Sequence, residues 1–350
     1  PSLLTVSEKK LENDYLCVTL DGNGAFTSVY DKVEGREVLA SGGKGNELQL
    51  FDDRPFDHDA WEMDHNFDEE VQWAPGKAET VEIVEEGPVR GVVRFVRHTE
   101  KSVITQDITL YANGPRVEVH THVDWHEKRV LMKVAFPVDV LSHRATYDIQ
   151  YGTIERATHE SREHERARFE VTGHHWADLS EGNYGVSLLN DCKYSYDIKE
   201  NTMRLSLLRA PVHPDEHADQ GEHEMVYALY PHGGDWRNGT VHQGFELNVP
   251  LVAMALEGTG EKKVGSFASL DVDHVLIDAI KKHEDSDALI VRAYEAYGQR
   301  GEVTLTFAKK PKSVSVCDMM EENDEAVTCK GNELKLYFKP YEIKSLKVTF

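Results

Sequence analysis

An all-β fold is predicted for this chain from three features: many alternating segments, turn signals between them, and no long stretch with helical periodicity. Of the 350 residues, 40% are hydrophobic, which is enough for a sizeable core. Short segments that alternate apolar and polar residues are typical of strands with one buried face. We therefore predict a large antiparallel β-sandwich followed by a smaller one.

Two hairpins show this alternation most clearly. Residues 15–20 and 25–30 flank an Asp-Gly-Asn-Gly turn, and residues 103–111 and 116–125 flank an Ala-Asn-Gly-Pro turn. Further strands of the large sandwich are predicted at residues 47–51, 79–84, 89–97, 131–137, 145–149, 167–171, 185–189, 203–208, 225–229 and 247–256.

A change of composition at residues 258–263 indicates a linker. We accordingly expect a large sandwich over residues 1–258 and a small one over residues 264–350. In the small unit, strands are predicted at residues 275–281, 288–294, 303–307, 313–316, 333–338 and 343–349. The first of these could instead begin a helix, and we favour the strand.

The most polar segment is residues 51–64, which read FDDRPFDHDAWEMD and contain five aspartates. Pro55 disfavours a central strand, so we place the segment on a loop that follows the strand 47–51. Carboxylates beside an indole suit a sugar, because hydroxyls bond to the acids and the C–H face lies on the ring. Asp59 and Trp61 are therefore candidate binding residues. A solvated acidic loop with Trp61 in the core is an equally good interpretation.

A second polar loop covers residues 211–224 and leads into the strand 225–229. Asp219, Gln220 and His223 are suitable groups for binding hydroxyls, and Gly221 would allow close approach of a ligand to the backbone. An exposed acidic loop is the simpler interpretation of the pattern alone.

The strand 116–125 has two different faces. Its apolar face carries Val117, Val119, Thr121 and Val123, and its polar face carries Glu118, His120, His122 and Asp124. His120 and His122 are spaced like a pair of metal ligands, so a cupin-like metal site is one hypothesis. A solvated strand face is the interpretation that we favour.

Charge and cysteine content exclude some functions. The net charge of −23 disfavours nucleic acid and anionic membrane as partners, while neutral polar ligands stay compatible. Four widely spaced cysteines form no disulfide framework or zinc ribbon, which favours a cytoplasmic setting, although Cys317 and Cys329 could pair. The chain begins Pro1-Ser2-Leu3 without an initiator Met, so we expect a piece of a longer protein.

Several runs together resemble the C-terminal β region of glycoside hydrolase family 38 α-mannosidases, in the bacterial, vacuolar and cytosolic branch. They keep the family's order along the chain. The runs are GNELQLFDDRP at 45–55, DAWEMD at 59–64, YGTIER at 151–156, HWADLS at 175–180, GVSLLNDCKY at 185–194, LLRAP at 207–211, ADQGEHE at 218–224, YEAYG at 294–298 and KPYEI at 339–343. Two positions depart from the family pattern, since Trp is common where His58 stands and Asp where Glu62 stands.

The resemblance implies a retaining exo-α-mannosidase with a super-sandwich of the galactose-mutarotase type in this region. It places zinc and the nucleophile on an N-terminal barrel of the same polypeptide, so no catalytic residue is expected in this chain. This chain would pack on that barrel, and loops 52–64 and 215–224 would wall the α-mannoside pocket. Asp59, Trp61, Asp219, Gln220 and His223 would then lie at the pocket edge, and a homodimer is compatible with this organisation.

Two other function classes stay open. A free-standing carbohydrate-binding or mutarotase-like sandwich needs a His and a Glu on one sheet face, as in His120 and Glu118. A metal-dependent cupin is the third class.

Overall fold

The predicted all-β class is confirmed by a computed structural model, which describes residues 4–69, 72–255, 260 and 264–350. The sheets are antiparallel. Two compact units are present: Pro1–Asp148 with Ile154–Pro250, and Ile149–Thr153 with Leu251–Phe350. The predicted domain boundaries stay a prediction, because most of the predicted linker lies outside the described residues.

The described residues form 28 strands and two short helices. The strands are β1 Thr5–Ser7, β2 Lys10–Glu12, β3 Leu16–Leu20, β4 Phe26–Asp31, β5 Arg36–Glu37, β6 Glu47–Asp52, β7 Gln72–Trp73, β8 Thr80–Glu86, β9 Arg90–His98, β10 Val103–Tyr111, β11 Val117–Trp125, β12 Val130–Pro137, β13 Arg144–Ile149, β14 Gly152–Ala157, β15 Val171–Thr172, β16 Trp176–Ser180, β17 Tyr184–Asn190, β18 Ser195–Lys199, β19 Thr202–Arg209, β20 Gly221–Gly233, β21 Ala268–Leu270, β22 Val275–Lys282, β23 Leu289–Glu295, β24 Gly301–Phe307, β25 Ser313–Cys317, β26 Glu325–Val327, β27 Glu333–Phe338 and β28 Ile343–Thr349. The helices are α1 Glu163–Arg166 and α2 Thr240–Asn248.

Three sheets build the first unit. They are a five-stranded sheet β1-β2-β3-β4-β5, a nine-stranded sheet β14-β13-β16-β17-β20-β11-β10-β9-β8, and a six-stranded sheet β15-β18-β19-β12-β6-β7. One apolar cluster contains residues of all three sheets, including Phe26, Phe95 and Phe136. The large sheets are therefore the two sides of a sandwich with a common core, and each has an outer face away from that core.

The two faces of β11 are as predicted. Val117, Val119, Thr121 and Val123 are buried toward the core, and His120 and His122 are partly exposed on the outer face. Glu118 differs from its polar neighbours, since it is only 3% exposed. Its burial follows from its contacts with Arg116 and His120, described below.

The second unit contains a three-stranded sheet β21-β24-β27 and a five-stranded sheet β22-β23-β28-β25-β26. Its core includes Val291, Leu305 and Phe338. The strand prediction for residues 275–281 is confirmed by β22, so the helix alternative is wrong.

In the second unit, one buried carboxylate binds backbone amides of two segments, one after β23 and one after β27. Glu295, at the end of β23, is fully buried, and its Oε1 accepts the Tyr297 N–H at 2.9 Å. Its Oε2 accepts the N–H groups of Gly298 and Tyr341, both at 2.9 Å. Two runs that carry the family resemblance, YEAYG and KPYEI, are thus joined by one side chain.

Two predicted strands are wrong. Residues 167–171 follow α1 instead, and pairing begins at β15. Residues 247–256 were expected to form a strand, but α2 reaches Asn248 and no strand follows among residues 249–255. Within α2, Gly244 permits close packing on the sheet, since a Cβ there would lie 2.9 Å from Cδ1 of Trp176.

All four cysteines have free thiols. The β25–β26 register pairs Val316 with Glu325 and Val314 with Val327, which places Cys317 and Cys329 at opposite ends of this hairpin. No helix in the described part of the chain is long and apolar enough to cross a membrane.

Candidate functional site

The acidic loop lies between β6 and β7 and is anchored by an aromatic side chain. Phe67 packs against Phe51 of β6 with ring centroids 5.8 Å apart, and Leu131 of β12 belongs to the same buried cluster. The Lys133 ammonium lies 4.5 Å from the Phe67 ring. The loop therefore covers the outer face of the six-stranded sheet, as far as the described residues show.

A buried ion network lies beneath this loop. Lys133 is fully buried and its Nζ pairs with Asp197 Oδ2 at 2.6 Å and with Glu170. Arg204 bonds to the other Asp197 oxygen at 2.7 Å and to Asp68 of the loop at 3.1 Å. Burial alone would raise the pKa of Asp68, but bonds from Arg204 and Lys199 outweigh it and lower that pKa. The charges are thus paired, as burial requires.

Arg209, the last residue of β19, binds the start and the middle of the loop. Its Nε and Nη2 donate to the two Asp53 oxygens at 2.5 and 3.0 Å, and Nη2 also donates to the Glu62 carbonyl. Burial, with the nearby carboxylates of Asp59 and Glu170, raises the pKa of Asp53 above its ordinary value although Arg209 opposes the shift. The loop is therefore attached to a sheet strand by a two-pronged guanidinium contact.

Asp59 connects the acidic loop to the second polar loop. It is 7% exposed, and its Oδ2 accepts the N–H groups of Val212 at 2.6 Å and His213 at 3.1 Å. Its Oδ1 lies 3.6 Å from Arg129 Nη1. The structure thus brings the two sequence-predicted loops together, and Asp59 makes the connection.

The other four predicted binding residues differ in exposure: Trp61, Asp219 and Gln220 lie on these two loops, and His223 lies near the start of β20. Trp61 is 69% exposed, so it is not in the core. Asp219 is exposed with φ of 57°, and its carboxylate has no hydrogen-bond partner among the described residues. Gln220 Nε2 donates to the Glu127 carbonyl at 2.6 Å, and His223 Nε2 contacts the Asp219 carbonyl at 2.9 Å.

The sequence analysis missed Arg209, Arg129 and Phe56 at this site. Arg209 lies in the run LLRAP as the last residue of β19, and no sequence pattern connected it with the acidic loop. Phe56 is 97% exposed, which no sequence pattern indicated.

On the polar outer face of β11, the His and Glu that the mutarotase hypothesis needs contact each other. His120 Nε2 is 3.0 Å from Glu118 Oε2, and Arg116 Nη2 is 2.7 Å from the other Glu118 oxygen. Although burial would raise the Glu118 pKa, these partners lower it. Acid and base are paired to each other here instead of facing a ligand from two sides.

Metal ligation was the other hypothesis for this strand. Among residues 4–69, 72–255, 260 and 264–350, no three His, Cys, Asp or Glu side chains gather as a metal site would require.

Two further runs of the family resemblance, HWADLS and GVSLLNDCKY, contribute to a buried polar cluster. Asp178 Oδ2 accepts bonds from Ser187 Oγ and His232 Nε2, both at 2.8 Å, and Ser187 Oγ contacts Thr240 Oγ1 at 2.7 Å. A single His232 nitrogen contacts both the acid and the serine, unlike the two-sided histidine of a nucleophilic triad. These groups lie between the nine-stranded sheet and α2, so they hold the fold.

Two known protein families match most of the chain. The Glycosyl hydrolases family 38 C-terminal domain matches residues 11–217, and the family 38 C-terminal beta sandwich domain matches residues 274–346. The chain belongs to glycosyl hydrolase family 38. The resemblance carried by the sequence runs is thereby confirmed, and the chain corresponds to the C-terminal region of family 38 proteins.

Individual relatives agree with this family 38 assignment. Alpha-mannosidase 2C1 of Mus musculus is 38% identical over 344 residues, covering 96% of this chain and 33% of that protein. Alpha-mannosidase of Saccharomyces cerevisiae is 30% identical over 365 residues, with 93% and 33% covered. The chain thus spans about a third of the length of these curated relatives.

A solved alpha-mannosidase structure has a similar fold. The crystal structure of an alpha-mannosidase from Enterococcus faecalis V583 superposes with a TM-score of 0.78 at 16% identity. The superposition covers 99% of this chain and 43% of that one.

Proposed function

We propose that this chain is the C-terminal portion of a retaining exo-α-mannosidase that releases terminal α-mannose. The observation that carries the proposal is the 38% identity, across 96% of this chain, to a protein named alpha-mannosidase. Since the chain spans a third of that relative, the reaction is assigned to the complete polypeptide, and we expect this chain alone to be inactive.

Retaining hydrolysis uses a nucleophilic carboxylate and an acid/base carboxyl about 5 Å apart. We assign neither role to a residue of this chain and propose that both lie on an N-terminal barrel of the same polypeptide. Zinc is proposed for that barrel too. The residues described here do not fit a metal site, so we derive no step through zinc from them.

The part played by this chain is to wall the sugar pocket. The exposed Trp61 indole offers an apolar face for the C–H side of a mannose ring, and the Asp219 carboxylate is an acceptor for hydroxyls. Gln220 Oε1 and His223 Nδ1 have no partner among the described residues and are proposed as further contacts. Holding the sugar in one orientation would raise the rate of a reaction carried out elsewhere.

The experiment measures hydrolysis of nitrophenyl α-mannoside by the complete polypeptide. We expect Trp61→Ala and Asp219→Ala each to lower kcat/KM by at least about tenfold, because each removes a contact that orients the sugar. Tyr337→Ala and Asp287→Ala serve as matched controls, since both residues are exposed in the second unit. Unchanged kcat/KM in both site variants would exclude the two loops from the pocket.

A second measurement concerns the chain by itself. Chelator-sensitive hydrolysis of the mannoside by residues 1–350 alone would contradict the division of labour proposed here. Mutarotation of free sugar by the same sample would support the alternative, a free-standing carbohydrate-binding or mutarotase-like sandwich.

The proposed partners are the barrel of the same polypeptide and the α-mannoside, with a homodimer as the proposed assembly. Light scattering of the complete polypeptide measures the latter. The four free thiols support the proposed cytoplasmic setting.

A further inference from the structure

We infer that Arg209 and Asp59 are positioning residues, which hold the two loops of the site as one unit and act on the sugar through Trp61 and Asp219. The inference rests on the proposed function and changes one part of it. Asp59 was expected to touch substrate, and its geometry gives it a different role. We call Arg209, Asp53 and Asp59, with the backbone groups they bind, the loop clasp.

Arg209 connects the six-stranded sheet with the loop segment that carries Trp61. It pairs with Leu131 in the β12–β19 ladder, so its backbone is fixed. Its guanidinium binds the Asp53 carboxylate at 2.5 and 3.0 Å and also binds the carbonyl of Glu62, the residue next to Trp61. The planar fork of arginine serves both acceptors at once, which a lysine ammonium on a flexible stem does less well.

Asp59 transmits the same constraint to the second loop. Its Oδ2 accepts two adjacent amides, those of Val212 and His213, at 2.6 and 3.1 Å. The residue is 7% exposed and its other oxygen faces Arg129, so the carboxylate has little surface left for a sugar hydroxyl. The loop that begins at these amides carries Asp219 and Gln220.

A turn between β11 and β12 closes the clasp into a ring. The Arg129 N–H donates to the Ala210 carbonyl at 2.7 Å, and the Asp53 N–H donates to the Arg129 carbonyl at 2.8 Å. Since Ala210 follows Arg209, three separate segments are joined around one closed path. The anchor at Phe67 is independent of this ring, because Phe67 packs on Phe51.

Loss of the clasp therefore leaves the loop attached to the protein but lets Trp61 sample several positions. Only the molecules with Trp61 in the ordered position can then bind substrate. The apparent Kd is the intrinsic Kd divided by the fraction of such molecules, so the affinity is weaker. Because bound sugar selects the ordered loop, KM rises and kcat changes little. A role confined to folding would have the opposite signature, a smaller active fraction with unchanged KM.

Kinetics of the complete polypeptide on nitrophenyl α-mannoside test this. We expect KM to rise about tenfold in Arg209→Met and Asp59→Asn and about threefold in Arg209→Lys, with kcat per folded molecule within about twofold. Arg94→Met is the matched control, since Arg94 makes the same two-bond contact with Asp107, both at 2.7 Å, on the sheet. Unchanged KM with a reduced active fraction, or an equal rise in the Arg94 variant, would overturn the inference.

Trp61→Ala separates this inference from the proposed function. If Trp61→Ala leaves kcat/KM and KM unchanged, the pocket role fails. If Trp61→Ala impairs the enzyme and Arg209→Met does not, the loop clasp alone fails.

Hydrogen exchange on the complete polypeptide gives a readout that needs no activity. Amides of residues 53–62 should exchange at least about tenfold faster in Arg209→Met than in Arg94→Met. Equal rates in the two variants would overturn the inference whatever the enzyme does.

Discussion

Ion pairs lie on the outer faces of both large sheets, but a loop buries one of them and solvent reaches the other. On the six-stranded sheet, Lys133 is fully buried between Asp197 and Glu170, beneath the loop that carries Phe67. On the nine-stranded sheet, Arg94 bonds to Asp107 with a side chain that is 37% exposed. Charge pairing is common to both places, and of these two pairs only the one on the six-stranded sheet lies beneath a loop.

The difference shows that burial decides what a charge pair is worth. An exposed pair contributes up to about 1 kcal/mol, whereas removing one partner of a buried pair leaves an uncompensated charge. We therefore infer that the buried ion network around Lys133 holds the acidic loop on its sheet. The exposed pair of Arg94 and Asp107 stays in contact with solvent.

Of the changes considered, Lys133→Met should lower the free energy of unfolding most. It leaves Asp197 and Glu170 without their ammonium, so we expect the free energy of unfolding to fall by about 3–5 kcal/mol. Urea unfolding of the chain measures it. Arg94→Met should lower the same quantity by about 1 kcal/mol or less. Equal losses of unfolding free energy in the two variants would show that burial of the pair beneath the loop does not strengthen its contribution.

Gly185→Ala tests the half of the nine-stranded sheet that α2 covers. A Cβ at this position would lie 2.3 Å from Ser180 Oγ and 2.4 Å from Cε1 of His232. Both groups are held by Asp178, so they cannot move aside freely. We expect a loss of about 1–3 kcal/mol in urea unfolding. Wild-type stability in this variant would mean that the cluster is looser than described.

The pH dependence of stability should distinguish two carboxyls with opposite shifts. Glu118 has a pKa held below its ordinary value of 4.5, so its stabilisation is present above that pH and is lost on acidification through the lower folded pKa. Asp53 has a raised pKa, so its contribution is present below the ordinary 3.8 and is lost as pH rises through the higher folded pKa.

Urea unfolding across the acidic range measures both effects. We expect Glu118→Gln to flatten the rise of stability with pH and Asp53→Asn to steepen it. The slopes are compared, because Asp53→Asn also weakens the contact with Arg209 and so lowers stability at every pH. A change of slope in the same direction in both variants would contradict the assigned shifts.

Local patterns predicted the strands well because alternation and turn residues are local properties. The hairpin of β10 and β11 is an example, and β10 begins and ends at the predicted residues. Helix α2 could not be predicted this way, since its interior Gly244 is a poor helix former that fits there because the helix lies close to Trp176. A tertiary contact there outweighs the local pattern.

For the candidate site, the amino-acid composition identified the two loops but not the role of each residue in them. Asp59 and Asp219 look alike in sequence, yet one is buried against two amides and the other is exposed. Arg209 is 156 positions from Asp53, so their pairing depends on the fold and has no local signature. Exposure and bonding, which the sequence lacks, separate supporting residues from those that can meet a ligand.

Glu295 has a practical consequence for trimming the second unit. Its carboxylate depends on the Tyr341 amide, close to the carboxyl terminus of the chain. A protein shortened after β27 would lose that donor together with β28, a central strand of the five-stranded sheet. Deletion series and terminal fusions should therefore leave the last dozen or so residues intact.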